Sequence, residues 1–330
     1  MAQLGDFNKV GIVGCGRVGT ALGILLGRQL RLASKPALAS QPGHAKQQWP
    51  AQLRFFDRAP AAAQWAAGLS EAGAAVPTLA ELLKDSSLVL VCVPDDIVPA
   101  MADELANCGV ALDGKLVCHT SGAKSSGEFQ ALKTDGALIA SFHPLQTFPD
   151  AQQAAERFAG AYCAIESESE EAAAVLTEFA ERLECRPWRL RAENKRLYHA
   201  AACLACNYLT ALLDASLQVF QAAGMEERQA LEALSPLLEA TVHNNLEQGP
   251  TGSLTGPIAR GDSGVVAEHL AALTELSGRG GSTAELDQLY RLLGAFAVRL
   301  AVRQKTLAPA KQAELMALLK GAHQGRPHQV

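Results

Sequence analysis

The sequence has no run of about 18 apolar residues free of charge, the minimum for a helix that crosses a bilayer, so no membrane span is expected. It has no excess of positive charge. Lysine and arginine total 29 against 34 acidic residues, a net charge of −5, which argues against a nucleic-acid partner. Only about ten residues precede the first apolar strand pattern, too few for a secretory leader, and the expected location is the cytoplasm. Metal-ligand spacing is missing as well. The 8 cysteines are scattered through apolar segments, as at Cys92, Cys118 and Cys163, which suits reduced core thiols. Cys203-x-x-Cys206 stands alone, with no second pair to complete a zinc site. On a helix, that spacing also arises from one buried face. No internal repeat or low-complexity segment occurs.

What is present is a chain of 330 residues, 48% of them hydrophobic, enough for about two domains. Short apolar runs at 9–13, 53–57, 88–93, 116–119 and 138–142 read as strands. Helical patterns at 17–32, 78–84, 96–106 and 126–133 alternate with them. Two further strands, 162–165 and 187–190, flank a helix at 170–183. The alternation predicts an α/β fold, a doubly wound Rossmann domain over residues 1–190. Leu88 to Val93 (LVLVCV) is apolar throughout, as a strand covered on both faces requires. Residues 33–51 carry three prolines and no hydrophobic period, and read as a long loop. Beyond about Arg191 the period changes from two to 3.6. Residues 191–330 therefore read as an all-α domain, with helices near 193–222, 226–247, 263–276, 283–305 and 310–320.

Between the first strand and the first helix stands Gly14-Cys15-Gly16-Arg17-Val18-Gly19. A GxGxxG pattern is weak alone, but strand-before and helix-after is the context that gives it meaning. Gly14 allows the tight turn, Gly16 lets the backbone approach a pyrophosphate, and Gly19 lets helix and strand pack closely. The loop therefore predicts NAD(P) binding. Val93 and Pro94, at the end of another strand, should border the same cofactor. Asp57 ends the second strand, where a carboxylate would bond the ribose hydroxyls of NAD, while Arg58 beside it would embrace the 2′-phosphate of NADP. No acidic residue lies between Phe7 and Phe56, whereas Lys9, Arg17, Arg28, Arg31, Lys35, Lys46 and Arg54 are basic. That imbalance favours NADP, with NAD as the alternative.

Ligands of such sheets bind outside the carboxyl ends of the strands, and three segments should reach that edge. In Val93-Pro94-Asp95-Asp96, Asp95 reads as a helix cap. In His119-Thr120-Ser121-Gly122, Ser121 is either a substrate contact or a cap. In Ser141-Phe142-His143-Pro144, His143 is either a substrate contact or a structural histidine. Lys195 and His199 are four apart and share a helix face, with Asn207 about two turns further on. A lysine and histidine pair can hold an anion and give a proton. In the loop Thr255 to Asp262, Arg260 can clamp a carboxylate and Asp262 reads as a cap.

Taken together, GIVGCGRVG, VPDD, HTSGA, SFHPLQTF, NKRLYHAAACLACNYL and TGPIARGD resemble the Rossmann-like proteins with a helical domain termed domain of unknown function 2520. These segments span most of residues 9–270 in that family's order. The family is similar to β-hydroxyacid dehydrogenases, 6-phosphogluconate dehydrogenase and pyrroline-5-carboxylate reductase, and some relatives are second-type ketopantoate reductases. The resemblance implies an NAD(P)-dependent oxidoreductase, dimeric through its helical domain, acting on a small oxo or hydroxy acid. In β-hydroxyacid dehydrogenases a catalytic lysine is followed four residues on by asparagine. Lys195 matches that lysine, but His199 occupies the second position. Lys195 or His199 would then supply the proton, and Ser121, Asn207 and Arg260 would position the substrate, with His143 nearby. Two other readings stand beside this one. One is a non-catalytic NAD(P)-binding sensor with a protein partner. The other is a prephenate-dehydrogenase-like enzyme, suggested by Ser121 and Lys124 followed by His143-Pro144.

Overall fold

The computed structural model describes residues 3–33 and 49–321. The loop expected at 33–51 therefore lies almost wholly outside the described residues, as do Lys35 and Lys46 within it. The chain divides into two compact units, Met1–Cys206 and Asn207–Val330.

The first unit carries eight strands among its described residues: β1 Lys9–Val13, β2 Gln52–Phe56, β3 Ala74–Ala75, β4 Leu88–Val91, β5 Leu116–His119, β6 Leu138–Pro144, β7 Tyr162–Glu166 and β8 Arg186–Arg189. They form one sheet in the order β3-β2-β1-β4-β5-β6-β7-β8. Only the β6–β7 pair is antiparallel. Its helices are α1 Arg17–Ala33, α2 Pro60–Ser70, α3 Leu79–Lys84, α4 Val98–Ala106, α5 Gln130–Thr134, α6 Ala151–Glu156, α7 Glu170–Arg182 and α8 Lys195–Ala205.

Strand β4 explains the two helical layers. All four of its residues are buried. Leu88 and Leu90 join a core with Leu22 and Leu26 of α1 and Phe179 of α7. Val89 and Val91 point the other way, to Leu82 and Leu83 of α3 and Met101 and Leu105 of α4. Each such side chain contributes roughly 1.5–3 kcal/mol when fully buried, so both faces of the strand demand a cover. The chain runs outward from β1 through β2 to β3, then returns to β1's other side with β4. That reversal opens a crevice at the carboxyl ends of β1 and β4.

Some local expectations are corrected. Helix α2 (PAAAQWAAGLS) is not among the expected helices, because its small residues give no clear apolar stripe, although Pro60 stands at its first position. The expected helix at 126–133 is a 3-10 turn, Ser126–Phe129, followed by α5. Asp95 does not cap α4. A turn closed by the Ile97 amide on the Pro94 carbonyl, 2.9 Å, intervenes, and the helix starts at Val98 with no side-chain cap.

The second unit is all-α: α9 Asn207–Ala222, α10 Glu227–Ser253, α11 Pro257–Arg260, α12 Ser263–Ser277, α13 Leu286–Gln304 and α14 Pro309–Lys320. Gly249, at φ 71°, breaks α10 where the sequence ends its helix. Ile258, Val266, Leu270, Val298, Leu315 and Leu319 form the core. Helix α9 buries no residue of its own, and Tyr208, Leu209, Leu237, Leu246 and Phe296 are exposed. Residues 192–222 include a window of mean hydropathy 1.4, long and apolar enough to cross a membrane by length and composition alone, none of it buried. The sequence expectation of no span rests on the lack of any run of about 18 apolar residues without a charge.

The division by compactness differs from the change of period near Arg191 by a 3-10 turn, Ala192–Asn194, and α8. That helix belongs to the first unit, and it brings Lys195 and His199 with it.

Candidate functional site

The glycine loop leaves β1 through Gly14, at φ 89°, a conformation that disfavours any side chain. A Cβ on Gly19 would lie 2.0 Å from the Gly14 carbonyl oxygen, so α1 packs against the loop only because Gly19 has none. Gly16 is the opposite case: a Cβ there would meet nothing within 4 Å. The first two positions build the loop, and the third leaves one side of it open. Arg17 and Val18 follow as the first residues of α1. Val18 packs on the core and Arg17 is exposed.

A cleft of about 310 Å³ opens beside Gly16, lined by Gly14, Asp57, Arg58, Val93 and Pro94 among others. Asp57 braces the loop: one carboxylate oxygen accepts the Cys15 amide at 2.7 Å and the other the Ala59 amide at 2.9 Å. Arg58 is exposed and pairs with Glu104 of α4, a partner the sequence did not suggest.

Further along the same strand edge, past β5, a second cluster gathers. His119, fully buried, accepts the Ser121 amide on Nδ1 at 3.3 Å, and its Nε2 faces the Ser125 carbonyl at 3.0 Å. Those partners put its proton on Nε2. Burial lowers its pKa from 6.5 to about 4, against the hydrogen bond to Ser125. Ser121 is buried, and its hydroxyl accepts the amides of Ala123 and Lys124 at 3.2 and 2.9 Å. Lys195, 1% exposed, reaches from α8 to donate to the Ser121 carbonyl at 3.0 Å and to the Ser141 hydroxyl. Burial lowers its pKa from 10.5 to about 8, opposed by Glu166 and Asp95. Glu166, opposite Ser141 in the β6–β7 register, accepts the Ser126 amide at 2.6 Å and its hydroxyl at 2.8 Å. The loop 119–126 is thus pinned from three elements.

His143 projects from β6 on the same face as Ser141, two residues earlier. Its Nδ1 lies 2.8 Å from the Tyr198 hydroxyl, and its ring meets His199 edge-on at 5.9 Å between centroids. Burial, then Lys195 and His199, lower its pKa from 6.5 to about 4. Nδ1 of His199 is buried without a hydrogen-bond partner. Gly122 makes the room: a Cβ there would lie 2.5 Å from His199 Nδ1 and 2.7 Å from His143 Nε2.

Of the expected site residues, Ser121, His143, Lys195 and His199 come together in the first unit. Asn207 and Arg260 belong to the second. Asn207 is exposed at the head of α9. Arg260 is exposed at the end of α11 and donates to Asp262 at 2.9 Å. That bond occupies Asp262, which gives α12 no side-chain cap. Sequence reasoning missed Tyr198, Ser141 and Glu166. Two of these left a signal, since Tyr198 lies one turn from Lys195 and Ser141 shares a strand face with His143.

The two histidines make stability depend on acid. In the unfolded chain they take up protons near pH 6.5; in the folded unit they do so only near pH 4. Their contribution is therefore intact above pH 6.5 and lost as pH falls toward 4. At about 1.4 kcal/mol per pH unit, each costs up to roughly 3 kcal/mol across that window. Urea unfolding at pH 7 and pH 5 should show this, followed by the fluorescence of the 3 tryptophans, all in the first unit. His119→Asn should flatten the dependence. An unchanged slope in that variant contradicts the assignment.

Two family models match the chain, a Rossmann-like domain over residues 62–144 and a domain of unknown function (DUF2520) over residues 161–296. No curated protein matches it. Several solved structures have the same fold. A protein from Bacteroides fragilis, provisionally assigned as an NADP oxidoreductase, is 22% identical over 89% of this chain and 99% of that one, with a TM-score of 0.64. A protein from Thermotoga maritima is 24% identical over 90% and 100%, with a TM-score of 0.62. Pyrroline carboxylate reductase from Plasmodium falciparum, with NADP bound, is 13% identical over 94% and 97%, with a TM-score of 0.53. The chain is therefore similar to a Rossmann-like domain over residues 62–144 and to a DUF2520 domain over residues 161–296.

Proposed function

We propose that the protein is an NADP(H)-dependent oxidoreductase that reduces a small oxo acid, of the ketopantoate kind, or oxidises the matching hydroxy acid. The observation that carries this reading is one sheet edge bearing two features. Gly16 is open beside a cleft, and a cluster of lysine, histidine and tyrosine is gathered beyond it. The same fold holds NADP in the Plasmodium structure. A nucleotide-binding sensor would need the cleft but not the cluster.

In this reading the loop amides around Gly16 and the start of α1 hold the pyrophosphate. Bound there, the reduced nicotinamide supplies a hydride. Asp57 keeps the loop in shape and Arg58 meets the 2′-phosphate. Lys195 and Ser121 hold the loop after β5 in register, and His143 and His199 face the substrate. Asn207 and Arg260 are not needed for these roles. The test is a panel of 2-oxo and 3-oxo acids, with cyclic imines as contrast, followed by NADPH absorbance after calorimetry has established binding. NADPH binding without turnover of any member favours the sensor.

Arg58→Ala should weaken NADPH roughly ten- to hundredfold, the worth of a hydrogen bond to a charged group, and leave NADH nearly unchanged. Glu104→Gln, which frees Arg58, should tighten NADPH. Equal losses for both cofactors in Arg58→Ala would remove the basis for NADP.

The second unit is read as the dimerisation half. Helix α9 buries nothing within its own unit while exposing Tyr208, Leu209 and Leu212, and an apolar face of that kind calls for a cover. A second copy of the chain provides one that is self-complementary. Light scattering at micromolar concentration should give twice the mass of 34.7 kDa; a monomer contradicts it.

A further inference from the structure

Tyr198 has no part in the chemistry so far, yet its hydroxyl is aimed at one atom. His143 Nδ1 lies 2.8 Å away. Around the pair, Trp188 packs on Tyr198 at 5.6 Å between ring centroids, and His143 meets Tyr198 edge-on at 5.4 Å. A phenol is a good donor and a poor acceptor, and an imidazole nitrogen is a good acceptor. The bond therefore runs from Tyr198 O–H to His143 Nδ1, and the ring proton sits on Nε2. That nitrogen borders Gly122, on the loop held by Lys195.

We infer that Tyr198 is a positioning residue that holds His143 in its neutral, Nε2-protonated form, and that His143 donates this hydrogen bond to the carbonyl oxygen of the substrate. The inference deepens the proposed reductase and rests on it. It also narrows the substrate class. A neutral N–H donor suits a carbonyl oxygen, which has lone pairs to accept it. A protonated iminium nitrogen has none. The groups acting on His143 keep it neutral in the working range: burial, Lys195 and His199 oppose a second proton, against the weaker pull of Asp95. A neutral imidazole used as an electrophile has precedent in triosephosphate isomerase. It polarises the oxygen while keeping its own proton, and the alkoxide formed by hydride transfer takes its proton from solvent water.

The test is nitrogen-15 histidine spectroscopy on the NADPH-loaded protein at pH 7, compared with Tyr198→Phe. The phenyl ring keeps the packing and loses only the hydroxyl. In the wild type, His143 should carry one proton, on Nε2, with Nδ1 shifted as a hydrogen-bond acceptor. In Tyr198→Phe, Nδ1 should move to the position of an unbonded nitrogen. With 2-oxopantoate as the probe, turnover should fall by about tenfold, the worth of one hydrogen bond, at unchanged NADPH affinity. His143→Gln, which keeps an amide donor, should retain more turnover than His143→Leu. A proton on Nδ1 in the wild type, or an Nδ1 signal unchanged in Tyr198→Phe, overturns the role of Tyr198. Oxidation of NADPH by cyclic imines but not by oxo acids overturns the substrate class. Should the wild type consume no NADPH with either class, the reductase reading fails, while the spectra still decide what Tyr198 does to His143.

Discussion

Gly16→Val should fold like the wild type and lose at least about a hundredfold in NADPH affinity, the measure of a pyrophosphate held by several amide hydrogen bonds of the kind worth about 1.5–3 kcal/mol each. The two halves of that expectation have separate causes. A Cβ at Gly16 meets nothing within 4 Å, so the free protein has no reason to distort. In the proposed reading, the same open space is where a phosphate approaches the loop amides. The contrast lies at Gly19, where any side chain would collide with the Gly14 carbonyl and disturb the loop and α1 together. Calorimetry with NADPH and a thermal melt on Gly16→Val separate the two. Wild-type affinity in a folded variant would move the cofactor elsewhere.

Lys195→Ala should lower turnover with the oxo-acid probe by at least about a hundredfold, as loss of a preorganised polar group commonly does, yet change stability little. The magnitudes explain the split. The lysine gives two hydrogen bonds from a charged group, worth about 1.5–3 kcal/mol each. Burial, however, lowers its pKa from 10.5 to about 8, a cost of roughly 3 kcal/mol for keeping it charged at neutral pH. Removing the side chain ends both. What does not cancel is position. The Ser121 carbonyl keeps only the longer bond from the Ser141 hydroxyl, 3.4 Å, and Gly122 next to it sets the space in front of His143 and His199. NADPH affinity should stay close to wild type, since the glycine loop is braced separately by Asp57. Near-normal turnover would dismiss the cluster as the site. In the free protein Lys195 donates to the Ser121 carbonyl and the Ser141 hydroxyl, which fits the anchoring half of the role the sequence allowed it.

The sheet was legible because its signals are local. Leu88 to Val91 reads as a strand covered on both faces from its own four residues, and the glycine spacing after Val13 predicts the tight turn at Gly14 and the close packing at Gly19. Lys195 and His199 share a face by helix period, and both reach the Ser121–Gly122 segment. The rest depends on partners distant in sequence. Glu166 matters because antiparallel pairing sets it opposite Ser141, and no pattern within either strand announces that register. Asp57 could be placed at the end of β2, but its bond to the Cys15 amide follows from strand order. The neighbours of Asp95 alone suggest a cap, and the turn at Pro94–Ile97 displaces the helix start beyond it.

The bond from Lys195 to Ser121 joins residues 74 apart in sequence, and that distance has a consequence for how the protein is made. On the ribosome, β5 and its loop emerge long before α8. The sheet can collapse on its own apolar faces, but the loop has no cation to grip until the last helix of the unit arrives and docks. A nascent or truncated chain that stops short of Lys195 can therefore build the crevice at β1 and β4 while the Ser121 carbonyl still lacks its lysine. That grip comes last, delivered by the same helix that leads into the second unit.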